Sequence, residues 1–156
     1  MRALVLTISN RAAAGIYADR AGPVLVDGLR ESGFEVEAPQ VVPDGEPVLE
    51  ALREAIDACY DVVLTTGGTG LTPLDRTPEM TRAVLDREVP GIAELVRSNG
   101  VANGVPTAVL SRGVAGVAGT TLIVNLPGSP GGARDGLAVL APVLGHAVEQ
   151  IRGGDH

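Results

Sequence analysis

Residues 61–70 read DVVLTTGGTG, a short apolar run that closes on two threonines and a cluster of glycines. Val62, Val63 and Leu64 form a continuous apolar run, not the stripe of an amphipathic helix, so residues 61–66 are predicted as a short buried strand stopped by Gly67 and Gly68. Helical periodicity flanks this strand on both sides. Residues 47–59 carry Leu49, Leu52, Ile56 and Cys59 on one stripe. Downstream, Thr77-Pro78 predicts a helix start, with the threonine as cap and the helix running to about residue 88.

The same alternation extends outward. Residues 2–9 predict a strand, 23–32 a helix with Leu25 and Leu29 on one face, and 34–42 a strand. Pro90-Gly91 breaks the chain before a short helix at 92–98, and two further strands are predicted at 107–110 and 121–126. Residues 131–151 predict a helix carrying Leu137, Leu140, Leu144, Val148 and Ile151, which Pro142 should kink or split. The order predicts an α/β fold of three αβα layers, with a mostly parallel, doubly wound sheet. The 156 residues are the size of one domain, 1–156, with residues 153–156 expected to fray.

Composition excludes whole chemistries. All twelve cations are arginine, so no lysine is present for a Walker-type phosphate loop or a Schiff base. A single cysteine excludes an internal disulfide, and two histidines, His146 and His156, cannot build a three-histidine metal site. Aromatics are 2% and net charge is -7, which argues against a nucleic-acid partner. The opening MRALVLTISN is too soon polar for a signal peptide, and no apolar run is long enough to span a bilayer. A soluble cytoplasmic protein without membrane contact is therefore expected.

In open α/β sheets ligands bind beyond the carboxyl ends of strands. Those ends carry Ser9-Asn10-Arg11, Val42-Pro43-Asp44-Gly45, the loop Thr66-Gly67-Gly68-Thr69-Gly70, and Pro127-Gly128-Ser129. Three glycines in four positions allow backbone amides to converge on an oxyanion, with Thr66 and Thr69 adding hydroxyls. A tight turn would need the same glycines. Asp75 follows the loop, and a carboxylate beside an anion nest calls for a cation such as magnesium. Asp44 is the second candidate ligand; either aspartate alone also suits a turn or a cap. Ser129-Pro130 is a helix start whose free amides attract anions or are simply capped. Arg112 reads as a fork for phosphate or carboxylate, or as a solvated charge. Cys59 reads as a buried inert thiol, and His146 as a packing or surface residue.

TTGGTGLTPLDRTPE, VPGIAELVR and LSRGVAGVAGTTLIVNLPGSPGG together resemble the Mog/MoaB family of molybdenum-cofactor biosynthesis, as does the opening TISNRAAAGIYADRAGP. The resemblance spans residue 3 to about residue 150. It implies a MogA-like molybdopterin-binding fold, usually a homotrimer. In the Mog branch it implies molybdopterin adenylyltransferase activity: AMP passes from Mg-ATP to the molybdopterin phosphate and pyrophosphate leaves. The alternative is a protein that binds molybdopterin or a precursor without adenylylating it. Residue by residue, the resemblance assigns catalysis and Mg2+ to Asp44 and Asp75, and phosphate and nucleotide to the loop Gly67 to Gly70. Glu94, Ser111 and the turn Pro127-Gly128-Ser129 match residues near the pterin. Molybdopterin, ATP and the molybdate-inserting enzyme of the pathway are the implied partners. Many relatives carry a basic residue where this chain has Leu74, and others in the stretch Ala118-Gly119-Thr120.

Overall fold

A computed structural model describes residues 1–154; Asp155 and His156 lie outside the described residues. One sheet organises them. Its strands are β1 (Arg2–Ile8), β2 (Glu35–Val36), β3 (Gln40–Val42), β4 (Val62–Thr66), β5 (Arg87–Glu88), β6 (Ala115–Ala118) and β7 (Thr121–Leu126). The spatial order is β2-β1-β4-β7-β6-β5, with β3 also pairing β1. Pairs among β2, β3, β1, β4 and β7 are parallel; β6 runs antiparallel to both its neighbours, β7 and β5. The mostly parallel sheet predicted from the sequence is thus observed.

The helices are α1 (Asn10–Ala13), α2 (Ala21–Glu31), α3 (Glu46–Asp57), α4 (Thr77–Arg82), α5 (Pro90–Ala102) and α6 (Pro130–Ile151). Because side chains alternate along a strand, β1 sends Ala3 and Val5 into one core and Leu4, Leu6 and Ile8 into the other. The first core is covered by α2, α5 and α6 through Leu25, Leu29, Val96, Leu137, Leu140, Leu144 and Val148. The second is covered by α3 and α4 through Val48, Leu49, Leu52 and Met80. Burial of each such leucine contributes roughly 2 kcal/mol, so a sheet apolar on both faces requires both helical layers.

Several expectations are corrected. Residues 107–110 are not a strand but part of a 3-10 helix, Pro106–Leu110. Pro106 fixes the first turn, and the segment is largely exposed, with no strand beside it. The antiparallel strand is instead β6, whose Gly116 admits the β5 backbone: a β-carbon there would lie 2.4 Å from the Arg87 carbonyl oxygen. The predicted strand at 34–42 is two short strands, β2 and β3. The helix predicted over 77–88 ends at Arg82, because Asp86 and Val89 donate to Val117 and Ala115 and draw the chain into β5. Thr77 is not its cap; the cap position is Arg76.

Pro142 does not split α6, which is continuous. Ala138, whose carbonyl loses its intrahelical donor, and Pro142 are both exposed, so water can take that carbonyl while Leu137, Leu140 and Leu144 anchor both halves. Gly153 and Gly154 are not frayed: at φ +88° Gly153 lets its own amide reach Gln150 and that of Gly154 reach Glu149, closing the helix. Cys59 is exposed rather than buried, since α3 stops at Asp57 and the chain turns at Cys59 with φ +55°. His146 is exposed and pairs with Gln150 at 2.8 Å.

Candidate functional site

The parallel strands place their carboxyl ends together, and the loops leaving β4 and β7 meet there. Gly67, Gly68, Thr69, Gly70 and Asp75 from the first loop line a cavity of about 400 Å³ with Pro127, Gly128 and Ser129 from the second. Ser111 closes one side. Most of the predicted site residues are therefore brought together, although they come from three separate parts of the chain.

The glycines are required by what surrounds them. A β-carbon on Gly67 would lie 2.3 Å from the Ile8 carbonyl oxygen, and one on Gly68 2.2 Å from both Asp44 Oδ2 and Thr77 Oγ1. Their φ values, +103° and +66°, also favour glycine. Gly67 donates its amide to Leu126, so that amide is spent within the fold. The amides of Gly68, Thr69 and Gly70 have no acceptor among the described residues. These, rather than Gly67, form the anion-binding part of the loop. Thr66 is buried and donates its hydroxyl to the Pro127 carbonyl at 2.7 Å, tying the two loops together instead of facing the cavity.

The two aspartates stand beside different glycines of the loop: Asp75 at Gly70, on the cavity wall, and Asp44 at Gly68, outside the cavity lining. Asp44 sits behind Gly68, accepting from the Arg76 amide at 3.1 Å and from its neighbour Gly45 at 2.7 Å. Its own amide donates to Asn10 at 2.9 Å, which fixes the turn after β3. Burial pushes the Asp44 carboxyl up, the backbone amides of Arg76 and Gly45 oppose this, and the charge of Asp75 adds to the rise. Asp75 receives the amide and hydroxyl of Thr72 on Oδ2, at 3.0 and 2.7 Å, leaving Oδ1 unpartnered among the described residues. Two carboxylates repelling one another beside unpaired amides favour a bound cation. Among the described residues no three His, Cys, Asp or Glu side chains converge on a metal. Such a cation would therefore take most of its shell from phosphate oxygens and water, which is how magnesium is usually held.

Ser129 caps α6 by accepting the Gly132 amide at 3.1 Å, and its hydroxyl proton remains available toward the cavity. Ser111 accepts the Gly113 amide at 3.3 Å. Glu94 is not at the cavity. Val96, Arg97 and Gly100 line it from α5, while Glu94 is exposed and outside the lining.

Sequence reasoning missed Arg97, which lines the cavity and donates to the Gly113 carbonyl at 3.0 Å. It also missed Gly132, Asp135 and Gly136 of α6. The spacing of Gly132 and Gly136 was a usable signal, since a β-carbon on Gly136 would press on Leu126 at 3.0 Å. A second cavity, of about 440 Å³, lies across Gly128 from the first. It is walled by Thr7, Ser9, Tyr17 and Asp19 from the end of β1 and the chain leading to α2, and by Thr66.

The sequence pattern of one family, described as a probable molybdopterin binding domain, matches residues 4–146. The chain belongs to this family. The family's Mog and MoaB proteins share its fold. The Mog protein of Mycobacterium ulcerans superposes with a TM-score of 0.91 at 55% identity, covering 96% of this chain and 98% of that one. MoaB of Thermus thermophilus gives 0.90 at 49% identity, covering 97% and 96%. Among curated relatives, the molybdopterin adenylyltransferase of Haemophilus influenzae is 43% identical over 132 residues, 81% of this chain and 66% of that protein. The molybdenum cofactor biosynthesis bifunctional protein of Chlorobaculum tepidum is 37% identical over 156 residues; this chain spans 50% of its length.

The stretch Ala118-Gly119-Thr120 turns the chain between β6 and β7. That turn lies at the end of β7 opposite Leu126, away from both cavities. Ala118 is buried against the second core and Thr120 is exposed, so neither touches the site within this chain. Leu74 does adjoin it, exposed beside Asp75. No helix among the described residues is long and apolar enough to cross a membrane.

Proposed function

We propose that the chain is a molybdopterin adenylyltransferase of molybdenum-cofactor biosynthesis, moving AMP from Mg-ATP to the molybdopterin phosphate. The observation carrying this reading is the loop itself: unpaired amides at Gly68, Thr69 and Gly70, flanked by the carboxylates of Asp44 and Asp75. The two cavities that share Gly128 give room for two substrates meeting at one point. The names borne by the Haemophilus influenzae and Escherichia coli relatives support the same reaction.

In this reaction an oxygen of the pterin phosphate forms a bond to the α-phosphorus of ATP. The bond from that phosphorus to the β-phosphate oxygen breaks, and pyrophosphate leaves with the electron pair. Asp44 and Asp75 would hold Mg2+, which when bound neutralises charge on the phosphate oxygens. The free loop amides would fix phosphate oxygens, and the α6 N-terminus at Ser129 would contribute positive potential. Positioning and charge neutralisation carry such a transfer, so the absence of lysine is no obstacle. The resemblance implies a homotrimer, which light scattering would test; Val109 and Leu110 are exposed apolar residues that contact with another copy could cover.

Incubation with molybdopterin, ATP and Mg2+ should release pyrophosphate and leave AMP on the pterin. Asp75→Ala should abolish release while leaving pterin binding largely intact; near-normal release by that variant would sink the assignment. An uncharged side chain at Leu74, beside Asp75, favours the second reading, a protein that binds molybdopterin or a precursor without transferase activity. Failure to bind ATP with or without Mg2+ would select it.

A further inference from the structure

We infer that Arg112 is a positioning residue for the transfer proposed above: its guanidinium closes the base of the 70–75 turn, and so sets where the loop amides and Asp75 stand. The inference rests on that functional reading. Arg112 does not line the main cavity; it lies behind the loop. Its Nε donates to the Gly70 carbonyl at 2.8 Å, and one terminal nitrogen donates to the Asp75 carbonyl at 2.6 Å. The rest of the fork engages the Glu79 carboxylate on α4. The Arg112 backbone amide adds a bond to the Thr69 carbonyl at 2.9 Å. One residue thus grips the chain before the turn, after it, and on the next helix.

Apart from Arg112, the turn is tied to its surroundings at its far edge, where the Arg76 amide donates to Asp44 and the Thr77 amide to the Gly68 carbonyl. Residues 67–76 form neither helix nor strand. Leu71 and Leu74, at 65% and 70% exposure, give no apolar anchorage. Inside the turn the contacts are local, between Thr72 and Asp75. With Arg112 removed, the turn keeps its local shape but loses its placement relative to the cavity. Lysine cannot substitute, because an ammonium is a point donor and cannot reach three acceptors in fixed directions as the planar fork does.

The expected effect falls on turnover rather than on pterin affinity, since α5, the 3-10 helix and α6 supply much of the cavity wall and do not hang from the turn. Misplacement of a phosphate-holding loop by about 1 Å costs on the order of a hundredfold in rate. Arg112→Lys should therefore lower kcat by about ten- to a hundredfold with KM for molybdopterin within about twofold. Hydrogen exchange on the ligand-free chain should show the Arg76 and Thr77 amides, which donate to Asp44 and to the Gly68 carbonyl, exchanging at least about tenfold faster than wild type, with α6 unchanged. Glu79→Gln, which loosens the fork without removing it, should show the same pattern more weakly. Unchanged loop exchange with reduced ATP binding would overturn the inference and make Arg112 a ligand contact. Unchanged kcat would overturn it as well. If wild type transfers no AMP, the functional reading fails, while the exchange comparison still decides whether Arg112 holds the loop.

Discussion

Asp44 Oδ2 stands 2.2 Å from the place a β-carbon on Gly68 would occupy, so the glycine and the carboxylate define one another's position. Gly68→Ala would press on Asp44 and Thr77 while also holding alanine at φ +66°. We expect a loss of about 2–4 kcal/mol in urea unfolding, combining left-handed strain with overpacking. Pyrophosphate release should fall with it, because Asp44 must move. A variant matching wild type in both measurements would show that the loop is not set by this contact.

A buried amide ties the sheet to the helix that follows the loop. Asn125 Nδ2 donates to Thr65 at 3.0 Å and to Thr81 at 2.9 Å, and its Oδ1 accepts the Val114 amide at 3.1 Å. Thr81 passes the connection on by donating to the Thr77 carbonyl at 2.8 Å. Asn125→Ala leaves the Val114 amide unpaired and opens space in the core, costing about 2–4 kcal/mol. At about 2–4 °C per kcal/mol for a chain this size, Tm should fall by roughly 5–15 °C. A smaller shift than about 2 °C would mean that water replaces the amide without penalty.

How much of this was legible in the sequence depends on the kind of residue. The layers follow from the order of segments: Val62, Val63 and Leu64 make a continuous apolar run of strand length between two helical stripes, and the sheet buries that run on both faces. Asp44 and Asp75 stood out only in company: either alone suits a turn or a cap, and the fold sets both beside glycines of one loop. β6 was not, because Gly116 interrupts its apolar run for a packing reason supplied by Arg87, a distant residue. Nor was the commitment of Gly67 and Thr66 to Leu126 and Pro127, which depends on two loops meeting across β4 and β7. Arg112 illustrates the limit: its residue type announces a fork, while the acceptors it grips are set by the tertiary fold.

The Glu79–Arg112 pair gives a pH signature. Hydrogen bonding from Arg112 holds the Glu79 carboxyl below its ordinary value of 4.5. A depressed folded-state value stabilises the fold above the ordinary range, and that contribution is lost as pH falls through the lower folded value. Both side chains are partly exposed, so we expect only about 0.5–1 kcal/mol at neutral pH and low salt. The stability difference between wild type and Glu79→Gln should be present at pH 7, shrink in high salt, and vanish in acid below the folded value. A difference that persists in acid would assign the effect to packing instead of charge.

Cys59 turns the chain out of α3 with φ +55°, a conformation in which every side chain but glycine's is strained. Its thiol has a single weak contact, with the Asp57 carbonyl at 3.8 Å, so little is lost by removing it. Cys59→Gly should relieve the strain, offset in part by the greater freedom of glycine in the unfolded chain. The net expectation is a gain of about 0.5–1 kcal/mol, or roughly 1–4 °C in Tm. Cys59→Val, with branching at the β-carbon, should do the reverse, lowering Tm by a similar amount. In the native wild type the exposed thiol should react with a maleimide to completion without denaturant. Protection of Cys59 from the reagent, or a lower Tm for the glycine variant, would place the thiol back in the core that its helical stripe suggests.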